Sequence, residues 1–410
     1  MTADAVIFIP GIKGTKLVET NKTPFDTIWS GIQSNFETIE DLELTGISAE
    51  GAFDKKINNI IKPGEIEDLA YGEFIQDLDV ALPKFIFNYD WRLSAQTNGH
   101  RLHEFIQYLI EKSAATEGYK PFKKFHVITH SLGNFILRAY LAKQGMGLID
   151  KIVFTVPPFR GSLDILSAAL IGEGFFPNVK STIRKVIRSM PGAMELLPSY
   201  EEYARFDSGG KVNFFNPKHW QSNVPMDSDE KLKNVLAIAK RTSTGDALQD
   251  LATLTAAERK RILVIARGGF DTFQAVPVVK TGTGNVDNFV DWEYAVRNKQ
   301  GDGRVPHASS CCYHDKVKTI MLEDAFWFRD YSHGFVLKDE RLQKIVHRFL
   351  NKGAAFDHSI PGGSVKQVVG LELVKPAAPS EPHTAFGSLF GEDTKPVKNY
   401  KLQYWHVKLQ

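Results

Sequence analysis

Short, mostly apolar runs alternate with amphipathic segments along this chain, and this alternation constrains the fold more than any other feature. The runs are rich in β-branched and aromatic residues and lack polar–apolar alternation, which is typical of strands covered on both faces. Strands that alternate with helices predict an α/β fold on a doubly wound, mostly parallel sheet. The predicted strands are residues 5–9, 84–87, 125–129, 151–155, 261–266 and 317–321.

Two segments between or after these strands carry an apolar stripe. Apolar residues recur there at i, i+3, i+4, i+7 and i+8, the spacing of a helix that packs one face on a core. Both stripes are therefore predicted to be buried. They are Leu102, Phe105, Ile106, Leu109 and Ile110 in one helix, and Leu342, Ile345, Val346, Phe349 and Leu350 in the last helix.

Two connections are too long to be simple crossovers between strands. The first covers residues 16–83, and the second covers residues 156–260 and has helical character of its own. We therefore predict a core made of residues 1–155 and 261–352, with residues 156–260 inserted above the sheet as a helical cap or lid.

The composition of the sequence changes after residue 352. A Pro/Ala/Ser-rich stretch at 375–382 is typical of a linker, and residues 399–409 alternate enough to predict a strand. Residues 353–410 are therefore predicted to be a short C-terminal extension made of a linker and short β-structure.

The charge and the cysteines of the 410-residue chain exclude two classes. Fifty Lys and Arg against 48 Asp and Glu leave a net charge of +2. This balance argues against nucleic-acid binding, which requires a strongly basic surface. The two cysteines, Cys311 and Cys312, are neighbours, so a disulfide scaffold is excluded and a reducing compartment is favoured.

The N-terminal sequence predicts the location of the protein. It has no basic region before its first apolar run, as a signal peptide would have. No window approaches the roughly 18 consecutive apolar residues of a membrane span. We expect a soluble, cytoplasmic protein, with non-classical export as the alternative.

A serine at a strand-to-helix turn is the first candidate catalytic residue. Residues 125–133 predict a strand, a tight turn that holds Ser131, and the start of a helix at 134–144. The pattern is close to Gly-x-Ser-x-Gly, with Thr129 at its first position. Such a turn lifts the hydroxyl above the sheet and aims the Leu132 N–H at a nearby anion. A serine that merely caps a helix is the alternative.

An acid and a histidine follow in the order that α/β-hydrolases use, which is serine, acid, histidine. Asp302 lies in the loop Gly301-Asp-Gly-Arg-Val-Pro306, and His333 lies between the strand at 317–321 and the last helix. This order strongly favours catalysis by Ser131, Asp302 and His333 over separate structural roles.

A glycine-containing turn follows the first strand. In Pro10-Gly-Ile-Lys-Gly14, Gly11 and Gly14 permit a turn that brings the backbone close to a substrate. The Ile12 N–H is then predicted to be the second oxyanion donor, and a plain strand-ending turn is the alternative. Gly11, Trp91 and Phe159 are predicted to bind substrate.

The sequence resembles the lecithin:cholesterol acyltransferase / lysosomal phospholipase A-like family of α/β-hydrolases over about residues 5 to 350. The serine turn is shared by many hydrolases, whereas the Tyr89-Asp-Trp-Arg92 string is specific to this family. The matching pieces are Pro10-Gly-Ile-Lys-Gly-Thr-Lys-Leu17, Phe87-Asn-Tyr-Asp-Trp-Arg92, Thr129-His-Ser-Leu-Gly133, Arg188-Ser-Met-Pro191, Glu195-Leu-Leu-Pro198, Gly301-Asp-Gly-Arg-Val-Pro306 and His333.

The resemblance implies a role for each matching site residue. Ser131 is the nucleophile, Asp302 the acid and His333 the base, while Ile12 and Leu132 match the oxyanion positions. The sequence departs from the family by Thr129 in place of glycine, by Arg304 where threonine is frequent, and by lacking the signal peptide and disulfides of secreted members.

The predicted function is that of a serine hydrolase, phospholipase A-like or lipase-like, that cleaves carboxylic esters of lipids through an acyl-enzyme. One alternative is an O-acyltransferase that moves a fatty acyl chain from phospholipid to an alcohol. The other is a delivered lipase toxin whose tail, residues 353–410, binds a protein partner. No cofactor is expected, and the partners are a lipid ester, a transient membrane surface and no nucleic acid.

Several lesser features have two interpretations each. Residues 163–171 with Phe175-Phe176 are either a lipid-contacting lid or packing of the cap on the core. Lys180, Arg184, Lys185 and Arg188 are either a face for anionic lipid headgroups or a solvated helix face. The second interpretation is the more frequent one for such a face.

Three further sets of polar residues have predicted structural roles. Asp90 and Arg92 are predicted to form an internal charge pair that supports the predicted oxyanion loop, residues 10–14. His130 is predicted to be a packing or hydrogen-bonding neighbour of Ser131 and not a base. The spacing of the last set fits no standard zinc pattern, so no metal is predicted there. That set is His307, Cys311, Cys312 and His314.

Overall fold

The computed structural model places a central sheet between two layers of helices. It describes residues 3–23, 26–29, 36–48, 51–54, 60–78, 80–172, 180–221, 224, 230–245, 247–280, 288–323, 332–356, 359 and 365–368. The predicted linker at 375–382, the predicted strand at 399–409 and Phe175-Phe176 lie outside the described residues. In the described part of the chain, none of the helices has both the length and the apolar character to cross a membrane.

Seven strands of the described residues form the central sheet. They are β1 (Ala5–Ile9), β7 (Lys84–Ile86), β8 (Phe125–His130), β9 (Ile149–Thr155), β11 (Ile262–Arg267), β15 (Lys318–Leu322) and β16 (Val365–Gln367). Their order is β16-β15-β11-β9-β8-β1-β7, and every neighbouring pair is parallel except the antiparallel pair of β15 and β16. The predicted mostly parallel sheet is confirmed.

Helices flank the sheet, in keeping with the predicted double winding. The helices are α1 (Asp68–Asp77), α2 (Ala95–Ala115), α3 (Gly133–Gln144), α4 (Leu163–Leu170), α5 (Lys180–Arg188), α6 (Pro191–Met194), α7 (Glu230–Ser243), α8 (Ala256–Arg259), α9 (His307–Ser310) and α10 (Glu340–Lys352). Short 3₁₀ segments complete the helical structure, and one of them, His333–Lys338, carries the predicted base.

The two faces of the sheet belong to different core clusters, because successive strand residues point to opposite sides. Ile7, Val127 and Ile152 pack with the apolar stripe of α2 and with α3. The strand residues that point to the opposite face, such as Val6 and Ile128, pack with α1 and with the apolar stripe of α10. Sheet residues buried on both faces explain why the strands are apolar throughout.

Two small sheets lie in the first long connection. One contains β2 (Thr15–Glu19), β3 (Asp26–Trp29) and β6 (Ile61–Ile66), in the order β3-β2-β6. The other is the hairpin of β4 (Leu44–Ser48) and β5 (Gly51–Asp54). We call residues 15–78 the early insert, and α1 at its end returns the chain to the central sheet.

A further small sheet joins the residues on both sides of β11. It contains β10 (Ala204–Phe206), β12 (Thr272–Lys280), β13 (Asn288–Val290) and β14 (Val296–Asn298). β10 runs parallel to β12, so the segment 156–260 is tied to the residues that follow β11. The excursion through β12–β14 separates β11 from Asp302.

The start of the C-terminal extension adds a strand to the sheet. β16 pairs antiparallel with β15, with Met321 opposite Lys366. The Val368 N–H donates to the Thr319 carbonyl, and the Val368 side chain packs in a small cluster that includes Met321. This strand was not predicted, because residues 365–367 are too short and too polar to give an apolar pattern.

Candidate active site

Ser131 stands at the turn between β8 and α3. Its φ is 49°, in a region that non-glycine residues seldom adopt, and its N–H donates to the Thr155 carbonyl at 3.2 Å. Glycine is required two residues later, since a Cβ on Gly133 would lie 2.5 Å from the Ile9 carbonyl oxygen. The turn therefore holds the serine in a strained conformation that its surroundings fix.

Three polar side chains hold the turn from below. The Thr155 hydroxyl donates to the Thr129 carbonyl at 2.7 Å, and the Thr129 hydroxyl donates to Asn134 Oδ1 at 2.9 Å. Asn134 Nδ2 then donates to the Ser131 carbonyl at 2.5 Å. A threonine at the first position of the turn is thus accommodated, since its hydroxyl bonds an asparagine in the first turn of α3.

The structure brings Ser131, Asp302 and His333 together. His333 Nε2 lies 2.7 Å from Ser131 Oγ, and His333 Nδ1 lies 2.7 Å from Asp302 Oδ2. All three residues are nearly enclosed, with 4%, 1% and 7% of their surfaces exposed. An ionised carboxylate only accepts, so Nδ1 carries the proton and Nε2 is left to accept from the serine hydroxyl.

Backbone groups keep the Asp302 carboxylate charged. Its Oδ1 accepts the N–H groups of Val305 at 2.7 Å and Arg304 at 3.0 Å. Burial by itself would raise the pKa of this carboxyl, but the charge of His333 and the hydrogen bonds from His333 and the two N–H groups lower it below its ordinary value.

The loop after β1 lies directly against the serine turn. A Cβ on Gly11 would come within 2.9 Å of Ser131 Cβ and 2.8 Å of His130 Nδ1, so only glycine fits. Among the hydrogen bonds of the described residues, none uses the N–H of Ile12 or of Leu132. Both N–H groups are therefore available to a bound oxyanion, as the predicted roles require.

One solved structure shares this fold, and two others match at low TM-scores. The crystal structure of the Tle4–Tli4 complex is similar with a TM-score of 0.58 and 14% identity, covering 84% of this chain and 97% of that chain. The lin2722 product from Listeria innocua gives a TM-score of 0.33 at 11% identity, covering 87% and 100% of the two chains. Phospholipase PlaB from Legionella pneumophila gives 0.23 at 18%, covering 30% and 29%. No curated protein sequence matches the chain.

A family model matches part of the chain. Residues 84–257 match the model described as lecithin:cholesterol acyltransferase. The chain has the α/β-hydrolase fold, and residues 84–257 within it are similar to the lecithin:cholesterol acyltransferase family. The predicted resemblance is thereby confirmed. The matched segment contains Ser131 and ends before Asp302 and His333.

The Tyr89-Asp-Trp-Arg92 string supports the loop after β1. Arg92 Nη2 and Nε bind the Asp90 carboxylate at 2.7 and 3.0 Å in a buried pair, as predicted. The neighbouring Tyr89 hydroxyl donates to the Pro10 carbonyl at 2.8 Å. The string thus fixes the backbone immediately before Gly11.

Trp91 and Phe159, which are predicted to bind substrate, are packed in the interior of the protein. Trp91 is fully enclosed, its indole N–H donates to the Thr15 carbonyl at 3.0 Å, and its ring meets Trp29 edge-on. Phe159 meets the rings of Phe154 and Tyr313 edge-on and is 5% exposed. In this conformation both rings stabilise the core, and of the three predicted substrate-binding residues only Gly11 adjoins Ser131.

Two of the four basic residues of α5 have partners within the protein. Lys185 Nζ lies 3.2 Å from Glu43 Oε2, and Arg188 Nε donates to the Ala169 carbonyl at 2.7 Å. The Lys180 side chain lies outside the described residues. Helix α4 is almost wholly buried, so packing on the core describes it in this state.

The histidines and cysteines after Asp302 also have structural partners. His307 Nε2 donates to the Arg267 carbonyl, and His314 Nδ1 donates to the Cys311 carbonyl. Burial raises the pKa of the Cys311 thiol to about 12, so it stays protonated. Within the described ranges, no group of three or more His, Cys, Asp or Glu side chains is arranged to hold a metal ion.

Sequence reasoning missed Tyr71, whose hydroxyl lies between the oxyanion loop and His130. It belongs to α1 of the early insert and forms part of no recognisable motif. Only its place in the folded chain reveals it.

Proposed function

We propose that this hydrolase cleaves carboxylic esters of lipids with Ser131 as nucleophile, His333 as general base and Asp302 as the orienting acid. One observation carries the proposal, namely the imidazole of His333 within 2.7 Å of both Ser131 Oγ and Asp302 Oδ2. The serine stands on a strained turn beside two backbone N–H groups that have no acceptor among the described residues. These are the parts that acyl transfer needs.

In the first half of the reaction, Ser131 Oγ attacks the ester carbonyl while His333 Nε2 takes its proton. The Asp302 carboxylate stabilises the imidazolium that forms. The N–H groups of Ile12 and Leu132 bind the oxyanion, each contributing roughly 10²- to 10³-fold in rate. The tetrahedral intermediate then collapses, and His333 protonates the departing alcohol to leave an acyl-enzyme.

In the second half, an acceptor attacks the acyl-enzyme. His333 removes a proton from water, and the oxyanion forms again at the same two N–H groups. Collapse releases the fatty acid and returns the proton from His333 to Ser131. No cofactor takes part in either half.

The family match supports lipid esters as the substrate class, and we propose that residues 156–260 form the cap over the acyl chain. The start of this segment is bound to the loop of the acid. The Ser162 hydroxyl donates to the Arg304 carbonyl at 2.5 Å, and Arg304 Nη1 lies 2.9 Å from Asp164 Oδ2. A movement of the cap would therefore displace Arg304 and, through the hydrogen bond from the Arg304 N–H, the Asp302 carboxylate.

Two measurements test the proposal. A fluorophosphonate labels only a serine made nucleophilic by its neighbours, so we expect it to modify the wild type at Ser131 and to leave Ser131→Ala unmodified. A panel of acyl esters, triacylglycerols and phospholipids then reports fatty acid release. If the wild type releases no more fatty acid than Ser131→Ala from every substrate of the panel, the proposal is refuted.

A second candidate is an O-acyltransferase, which keeps the acyl-enzyme and replaces water with an alcohol. The enclosure of Ser131 and His333 favours it, because excluding water gives an alcohol time to react. Labelled phospholipid mixed with a sterol or diacylglycerol distinguishes the two activities. New labelled ester supports transfer, and labelled fatty acid alone supports hydrolysis.

A protein partner is a separate proposal. The Tle4–Tli4 structure is a complex, and the toxin alternative assigns partner binding in this chain to residues 353–410. Because β16 belongs to the central sheet, a deletion that tests this idea has to begin after Val368. If that deletion variant still binds the same proteins as the full chain, this would count against a partner site after Val368.

A further inference from the structure

A chain of hydrogen bonds connects the loop that contains Gly11 to the backbone of His333, the proposed base. The Gly11 N–H donates to the Tyr71 hydroxyl at 3.2 Å. Tyr71 Oη lies 2.8 Å from His130 Nδ1, and His130 Nε2 lies 2.9 Å from the carbonyl oxygen of His333. Four residues from four parts of the chain are joined in this way.

The direction of each bond follows from its ends. A carbonyl oxygen only accepts, so His130 Nε2 must carry a proton and donate to His333. Nδ1 of a neutral His130 is then an acceptor and takes the hydrogen of the Tyr71 hydroxyl. The Tyr71 oxygen in turn accepts from the Gly11 N–H, so every group in the chain has one compatible role.

Burial keeps the chain in this arrangement. Tyr71 and His130 are each 3% exposed. Enclosure lowers the pKa of His130 to about 3 and raises that of Tyr71 above its ordinary value, so both stay neutral at physiological pH. His130 therefore does not compete with His333 for protons.

Both ends of the chain meet the proposed reaction. Gly11 precedes Ile12, whose N–H is a proposed oxyanion donor, and the Gly11 backbone is in contact range of Ser131. The other end fixes the main chain of His333, whose side chain bonds the Ser131 hydroxyl. Helix α1, which carries Tyr71, also packs on the 3₁₀ segment that begins at His333.

We propose that Tyr71 and His130 are positioning residues that hold the oxyanion loop and His333 in register around Ser131. This inference rests on the proposed function. It assigns to α1, and hence to the early insert, a direct part in organising the site. A shift of about 1 Å in catalytic groups costs on the order of 10²-fold in rate, which sets the expected effect.

The test compares three variants with a matched control. Tyr71→Phe removes the hydroxyl that links Gly11 to His130. His130→Leu removes both bonds of the imidazole, and His130→Gln returns an amide N–H near the place of Nε2. Tyr140→Phe is the control, because it removes a phenol hydroxyl that is also buried but has no hydrogen-bond partner among the described residues.

We expect Tyr71→Phe and His130→Leu to lower kcat roughly 10- to 100-fold, with KM changed less than threefold. His130→Gln is expected to recover at least part of the loss, and Tyr140→Phe to stay within twofold of wild type. The affinity for a boronic acid inhibitor, which mimics the tetrahedral intermediate, should fall in parallel with kcat. A purely structural role would lower the melting temperature without moving kcat or the inhibitor affinity of the folded enzyme.

Tyr71→Phe alone decides the matter if His130→Leu does not fold. A kcat within twofold of wild type for folded Tyr71→Phe overturns the proposal, as does an equal loss in Tyr140→Phe. Wild type that is no more active than Ser131→Ala would instead refute the proposed function. The two failures are thus distinguishable.

Discussion

The Nε2 atom of His333 lies 2.7 Å from the Oγ of Ser131, although the two residues are 202 positions apart in the chain. Both approach from the carboxyl ends of parallel strands, Ser131 directly after β8 and His333 after β15. A parallel sheet gathers the residues that follow its strands at one edge, which is where α/β proteins place their sites. We expect five outcomes, three from changes at this site and two from changes elsewhere in the fold.

Ser131→Ala removes the proposed nucleophile and little else, because the turn is held by backbone bonds and by Asn134. We expect kcat to fall roughly 10⁴- to 10⁶-fold while the melting temperature stays near that of wild type. Steady-state hydrolysis of a soluble ester and thermal unfolding measure the two effects. Activity that survives at more than one-hundredth of wild type would mean that another residue is the nucleophile.

Asp302→Asn tests the role of the acid. The amide oxygen can still accept the N–H groups of Val305 and Arg304, but the amide nitrogen then donates to His333 Nδ1 and places the imidazole proton on Nε2. That tautomer cannot accept the serine proton, so we expect kcat to fall about 10⁴-fold. Asp315→Asn, which removes an exposed carboxylate, is the control and should behave like wild type.

Gly11→Ala tests the close approach of the oxyanion loop. The new Cβ would lie 2.9 Å from Ser131 Cβ, closer than such atoms come in proteins, so the loop must shift. We expect kcat/KM to fall about 100-fold. Gly147→Ala is the matched control, since a Cβ there meets nothing within 4 Å. Equal kinetics for the two variants would show that the loop does not contribute to the reaction.

Glu195 makes stability depend on pH. Burial raises the pKa of its carboxyl to about 8, although the Ala95 N–H and the Thr242 hydroxyl both donate to it. The unfolded chain releases this proton near pH 4.5, so the folded state binds more protons between pH 4.5 and 8 and loses stability as pH rises through that window. The loss is on the order of a few kcal/mol.

Unfolding of Glu195→Gln at several pH values checks this expectation. The variant has no proton to release, so its free energy of unfolding should decrease less than that of wild type between pH 5 and pH 8.5. Parallel profiles for the two proteins would mean that the Glu195 carboxyl is already ionised in the folded state.

Truncation tests the strand that the C-terminal extension contributes. A chain that ends at Phe356 lacks β16 and leaves the edge of β15 unpaired, whereas a chain that ends at Val368 keeps both. We expect the shorter chain to melt at least roughly 5 °C lower and to aggregate more readily, because an open strand edge pairs with other chains. Identical melting temperatures would show that β16 does not stabilise the sheet.

Six of the seven described strands of the central sheet, its parallel character and the apolar stripes of α2 and α10 could be predicted from the sequence, whereas β16 could not. This was possible because burial on both faces leaves a local apolar signature in each of the six strands, and the 3.6-residue period leaves one in each helix. Ser131, Asp302 and His333 could also be predicted as candidates, because the residue pattern of a turn and the order of residues along the chain are properties of the sequence.

The groups that surround these three residues became known only from the folded chain. Tyr71 and His130 are 59 positions apart, and their hydrogen bond leaves no pattern along the chain. Long-range packing likewise buries Trp91 and pairs β16 with β15. It also gives Lys185 and Arg188 of α5 their partners. Local sequence encodes which face of a segment is buried, whereas the identity of the atoms that meet there is fixed by how distant segments pack together.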